Sequence, residues 1–127
     1  MGWRLTTTGF RLELSRHLPQ LVRRQVRSTV ARFLAGHGAS VADVAFWAIH
    51  QGGPSVLEAI GASLELTDAA LRPSWDVWER CGSVSSASVL LVLREVIDHH
   101  RPRSGALGVM LAPGPGLSCE IVLLQAP

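Results

Sequence analysis

The residue best placed to do chemistry is His50. It closes an apolar run, Val44 to Ile49, and is followed by Gln51-Gly52-Gly53-Pro54. An imidazole exchanges protons near neutral pH and can donate an N–H to a developing oxyanion. Beyond it, Val56, Leu57, Ile60 and Leu64 recur at helical spacing. Pro54 falls in the first turn of that helix, where a proline forfeits no hydrogen bond. The stretch therefore reads as a buried strand, a tight turn and a helix. His50 stands at the strand's carboxyl end, facing a helix N-terminus, which is where α/β sheets gather their active sites. A histidine satisfied within a turn is the plainer reading of the same residues. The two cysteines, Cys81 and Cys119, show no CxxC or zinc spacing and read as small buried hydrophobes.

The elements that must position His50 can be followed along the chain. Trp3 to Thr6 and Phe10 to Leu14 alternate apolar with polar residues around Thr8-Gly9, a hairpin pattern with one face buried. Ser15 offers a cap to a helix whose stripe is Leu18, Leu21, Val22, Val26, Thr29, Val30, Phe33 and Leu34, with Arg23, Arg24 and Arg27 opposite and Gly36 and Gly38 ending it. After the strand and helix around His50, Thr67-Asp68 reads as a turn. Pro73 then opens a short helix that ends by Gly82. Ser83 to Ser86 form a serine-rich cap, and Ser86 to Asp98 are apolar all round, which predicts a helix buried on several sides. Two Val/Leu/Ile-rich strands, 105–111 and 117–124, flank Pro113-Gly114-Pro115-Gly116 and should lie inside a sheet covered on both faces. The expected product is one α/β domain over 1–127, its mixed sheet built from segments near Leu12, Phe46, Val109 and Val122.

Composition bounds the partners. The 127 residues are enough for one domain with a core of its own. No apolar run reaches the roughly 18 to 20 residues of a membrane helix. The segment MGWRLTTTGF lacks a signal peptide's apolar core, so a cytoplasmic location is expected. All twelve basic residues are arginine. Residues 1–40 hold seven of them against Glu13 alone, a net of +6, and residues 41–127 carry a net of −4. A basic third of this kind either attracts phosphate or forms a solvated helix face. No zinc finger, basic zipper or RNP motif accompanies it, so nucleic acid is an unlikely partner.

Four segments carry a resemblance. Phe46-Trp47-Ala48-Ile49-His50-Gln51-Gly52-Gly53-Pro54 resembles the W-x-x-H-P-G-G-P motif of the chalcone synthase family, the type III polyketide synthases. Cys81-Gly82-Ser83-Val84-Ser85-Ser86-Ala87 resembles that family's G-N-M-S-S-A element. Gly114-Pro115-Gly116 with Leu117 and Glu120 resembles its G-F-G-P-G-L loop and last strand. Gly9 to Leu14 with Leu18-Pro19 resembles the segment entering its C-terminal half. The four occur in the family's order and cover nearly this whole chain, but only the C-terminal third or so of a family member.

The resemblance implies an α/β fold that is one half of a thiolase-like fold, a mixed sheet with helices packed on it. It also implies an acyltransferase activity that condenses an acyl-CoA with malonyl-CoA, with coenzyme A thioesters as substrates and no resident cofactor or metal. In that family a cysteine carries the acyl chain, while a histidine and an asparagine polarise the malonyl thioester. His50 takes the histidine position and Ser83 the asparagine position. Serine is a departure, because a hydroxyl is shorter and carries one donor on a rotor; as a plain alternative Ser83 caps a helix. The cysteine belongs to the N-terminal half, and neither Cys81 nor Cys119 matches its motif. Gly52 and Ser55 fall beside the pantetheine arm. Leu12 falls at a gating position of the acyl pocket, or is a strand core residue. Gly114, Pro115 and Gly116 shape one wall of that pocket, with Ala112 and Pro113 departing from the motif before them. The chain is thus expected to need an N-terminal half, a family relative or a second copy. The alternative is a non-catalytic relic or interaction module that binds a relative or acyl-CoA.

Overall fold

The computed structural model describes residues 2–13, 15–114, 116 and 118–127, apart from the side chains of Trp3 and Leu12. Among the described residues five strands and four α-helices follow one another: β1 (Gly2–Thr6), β2 (Gly9–Glu13), α1 (Leu18–Ala35), β3 (Phe46–Ile49), α2 (Pro54–Leu64), α3 (Asp68–Cys81), α4 (Ala87–Glu95), β4 (Leu107–Pro113) and β5 (Cys119–Gln125). A 3-10 turn, Val41–Asp43, leads into β3, and a π-helical turn, Val96–His100, extends α4. No helix among the described residues is long and apolar enough to cross a membrane.

The main sheet has the order β3-β4-β5. β3 runs parallel to β4, with Phe46 opposite Gly108 and Ile49 opposite Leu111, and β4 runs antiparallel to β5. Side chains alternate between its faces. Trp47, Ile49, Val109 and Leu111 join the core under α1 and α2, together with Val26, Val30, Leu57 and Ile60. Ala48 and Met110 point the other way, into a smaller cluster with Val77 of α3 and Val92 of α4. β3 is apolar throughout because helices lie on both sides of it.

Several expectations need correction. The Leu12 segment does not join the main sheet: among the described residues β1 and β2 pair only with each other, Leu5 opposite Phe10. Leu5 is 74% and Phe10 76% exposed, so at these two positions the alternation does not mark a buried face. The turn at Thr67 and the short helix from Pro73 are one helix, α3. Thr67 is its N-cap, accepting a hydrogen bond from Ala70 N–H, and Pro73 lies inside it. A proline there costs about 3 kcal/mol, offset by burial of Leu71, Ser74 and Val77 along the same face. α4 buries one side only, through Ser88, Val89, Val92 and Glu95; Leu90 is 58% exposed, and so is Ile97 in the turn beyond. β5 lies at the sheet edge and leaves Glu120 and Val122 to solvent, so it is not covered on both faces. Neither cysteine is a buried hydrophobe: Cys81 is exposed and Cys119 half-buried.

Candidate functional site

β3 and β4 are parallel, so their carboxyl ends share one edge of the sheet. His50 leaves β3 there, tied to β4 by its N–H donating to the Leu111 carbonyl at 2.8 Å. The other side of β3 has no strand neighbour among the described residues. There the hydroxyl of buried Ser74, on α3, donates to the Ile49 carbonyl at 2.9 Å and holds the last residue of the strand.

The chain then turns sharply. Gly53 sits at φ +127°, a conformation that side chains rarely adopt, and is the N-cap of α2, with Pro54 next. A Cβ placed on Gly52 would lie 3.9 Å from His50 Nε2, so the imidazole stands against the start of α2. His50 is half-buried, and its Nδ1 is buried with no hydrogen-bond partner among the described residues. Burial lowers its pKa from the ordinary value, and the positive end of a helix disfavours the imidazolium further. Neutral imidazole, with one N–H and one lone pair, is the form the site holds at pH 7. Beside it Gln51 is wholly buried, with neither its Oε1 nor its Nε2 hydrogen-bonded among the described residues. Sequence reasoning passed over Gln51; its place directly after the histidine, where the related motif has proline, was the available signal.

The other expected site residues lie around this edge. Ser55 is exposed in the first turn of α2. Gly114 and Gly116 lie in the β4–β5 turn, at the same sheet edge as His50; the Gly114 N–H donates to the Ser118 carbonyl at 2.8 Å, and Gly116 has φ +71°. Pro115 and the Leu12 side chain lie outside the described residues, and the Leu12 backbone pairs with Trp3. Ser83 is exposed in the link between α3 and α4. No hydrogen bond among the described residues ties it to His50. The expected serine cap is also not at Ser83 or at the N-cap residue Ser86, whose side chain makes no capping bond. Ser88 instead accepts from Val84 N–H at 2.9 Å. Burial pushes the Cys119 thiol up, with Glu120 adding to the shift, which is opposite to what a nucleophile needs.

One further cluster was not foreseen. Ligand atoms of Asp76, Glu95 and His100 lie within 4.8 Å of one another. Both carboxylates already hold arginines, Asp76 with Arg72 and Glu95 with Arg80, and His99 Nδ1 lies 3.2 Å from Glu95. The cluster works as an ion-pair network joining α3 to the end of α4.

A mixed sheet between helix layers, with a histidine at the parallel carboxyl edge, is the arrangement that the resemblance to half of a thiolase-like fold leads one to expect. The family model for chalcone and stilbene synthases, C-terminal domain, matches residues 1–127, and the chain belongs to that family. It is 45% identical over 125 residues to the 1,3,6,8-tetrahydroxynaphthalene synthase of Streptomyces peucetius subsp. caesius, covering 98% of this chain and 33% of that protein. It is 34% identical over 118 residues to the alpha-pyrone synthesis polyketide synthase-like Pks18 of Mycobacterium tuberculosis, covering 92% of this chain and 30% of the other. Among solved structures, PKS-I of the brown alga Ectocarpus siliculosus superposes with a TM-score of 0.92 at 27% identity, over 99% of this chain and 35% of that one. The 1,3,6,8-tetrahydroxynaphthalene synthase of Streptomyces coelicolor A3(2), a bacterial type III polyketide synthase, gives 0.91 at 28%, over 98% and 36%. The chain spans about a third of the length of these two relatives.

Proposed function

We propose that this chain is the histidine-bearing half of a type III polyketide synthase-like acyltransferase, acting on malonyl-CoA and an acyl-CoA together with an N-terminal half that carries the nucleophilic cysteine. The observation behind this reading is His50 itself: a neutral imidazole with an unpartnered, buried Nδ1 at the carboxyl edge of the sheet. Two steps suit it. It can accept the proton of a thiol supplied opposite it, leaving a thiolate to attack an acyl thioester. In its neutral form it can also donate its N–H to a malonyl thioester oxygen as the carboxylate C–C bond breaks, CO₂ leaves and the electron pair moves onto that oxygen.

The partner thiol must come from elsewhere. Cys119 is shifted away from thiolate, and Cys81 lies exposed at the end of α3. Alone, the chain should give no condensation product from an acyl-CoA and labelled malonyl-CoA. Supplied with an N-terminal half, it should decarboxylate malonyl-CoA, His50→Ala should abolish that activity, and Ser83→Asn should raise it by restoring a carboxamide donor. Removal of one oxyanion donor elsewhere costs on the order of a hundredfold in rate. If both substitutions leave the rate unchanged, the site assignment is wrong. A second reading, a non-catalytic module that binds a relative or acyl-CoA, is favoured by Ser83, which is exposed and puts a short hydroxyl where the resemblance expects a carboxamide donor. Failure of the assembled pair to decarboxylate, with association retained, would select it. A cytoplasmic location goes with either reading.

A further inference from the structure

The main sheet has a hollow on the face it shares with α4. Phe46, Gly108 and Leu124 stand opposite one another across the three strands, with Gly108 on the central one. They fall on the same side as Ala48 and Met110, which pack toward Val92 of α4. A glycine inside a strand packs no side chain and marks a close approach. Here the ring of Phe46 takes the space: a Cβ on Gly108 would lie 2.1 Å from it. Leu93 of α4, Ile97 of the π-helical turn and Ala126 complete the lining of a cleft of about 290 Å³. At about 30 Å³ for a water-sized group, it has room for about ten heavy atoms. It opens at the amino end of β3. From Phe46 to His50 the strand advances about 13 Å, so the cleft and the histidine occupy opposite edges of the sheet.

The same cleft carries a cation. Arg101 lines it, and no acidic residue does among the described residues. The Arg101 N–H donates to the Val96 carbonyl at 2.9 Å and its Nε to the Asp98 carbonyl at 3.1 Å, which ties the side chain back to the π-helical turn. The Asp98 carboxylate is taken by Arg94 at 3.0 Å. Arg101 is exposed and has no ion-pair partner among the described residues. A guanidinium without a carboxylate, set beside half-buried Phe46, Leu93 and Leu124 and exposed Ile97, complements an anion with an apolar body.

We propose that this cleft binds a small carboxylic acid with an aliphatic or aromatic body, about ten heavy atoms in all. Its carboxylate pairs with Arg101 and its body lies along Phe46, Leu124 and Leu93. The site stands apart from the His50 edge, and the inference does not use the reading of His50.

Amide NMR titration of the chain with octanoate, 1-octanol and acetate tests this. Octanoate should saturate, with shifts centred on Phe46, Leu93, Arg101 and Leu124. It should bind about threefold to fivefold tighter than octanol, a preference that shrinks as salt is raised. Acetate, which lacks the apolar body, should not saturate. Arg101→Gln should bring octanoate to the affinity of octanol and leave octanol unchanged, while Arg101→Lys should keep part of the preference. Arg103→Gln, at an exposed arginine outside the cleft, should change neither. Absence of saturation by octanoate, equal affinity for octanoate and octanol, acetate binding as octanoate does, Arg101→Gln without effect, or shifts centred on His50 each overturns the inference. So does an octanoate affinity that falls as chain concentration rises, which would place a second copy of the chain on the cleft.

Discussion

His50 is a histidine whose protonation the fold opposes. Its pKa lies below the ordinary value because burial penalises the charged form. The unfolded chain therefore binds a proton that the folded chain rejects. The stability this adds is fully present above the unfolded value, about 6.5, and is lost as pH falls through the folded one. Denaturant midpoints should fall as pH drops below about 6.5, and His50→Gln should flatten that part of the curve; an NMR titration giving His50 an ordinary or raised value would contradict this. Gln51 makes the complementary case. A buried amide with neither atom bonded is destabilising by about 1 to 3 kcal/mol. Replacing it with methionine, of similar length and without that need, should leave the chain as stable or more so by thermal melting. A clear loss would reveal a partner for the amide in solution.

At the scale of elements, β3 is held unequally. β4 hydrogen-bonds one edge, while on the other Ser74 reaches across from α3 to the Ile49 carbonyl. Ser74→Ala should leave a buried carbonyl unsatisfied and destabilise by about 1 to 3 kcal/mol, whereas Ser28→Ala, on the exposed side of α1, should be nearly silent in the same melts. The strand, the turn and α2 were legible in sequence because each leaves a local mark: an apolar run, a glycine pair, a proline at a helix start. α1 was legible from the i, i+4 row of Leu18, Val22, Val26, Val30 and Leu34. α3 was misread because Pro73 is a strong local breaker, and the burial of Leu71 and Val77 that overrides it is a tertiary fact. The place of the hairpin and the bare side of α4 were not legible either, since an apolar pattern states that a face is to be covered but not by what. Likewise, the motif around His50 could mark the histidine, but the isolation of its Nδ1 depends on packing.

At the scale of the molecule, apolar side chains among the described residues stand open on the hairpin at Leu5 and Phe10, on α4 at Leu90 and Leu91, at Ile97 in the turn beyond it, and at Val84 and Val122. Covering such surface is worth roughly 25 cal/mol per Å², and soluble monomers rarely leave large patches bare. Sedimentation at low micromolar concentration should show association, with itself or with a supplied relative, and Leu90→Glu with Ile97→Glu should shift the chain toward monomer. A monomer that binds no apolar dye would mean that the surface has been re-covered from within. The pairing of β3 with β4 also bears on the order of assembly. Between the two strands the chain makes α2, α3, α4 and the π-helical turn, so the parallel ladder is among the most distant contacts the chain must close, and such closures are slow. During synthesis β3 emerges from the ribosome long before β4 and for that interval has a hydrogen-bonding partner on neither side. It is then a short apolar strand without charge or proline, the composition that aggregates when exposed. Translation speed through residues 50–106 would thus set how long a chaperone has to shield the strand that ends at His50.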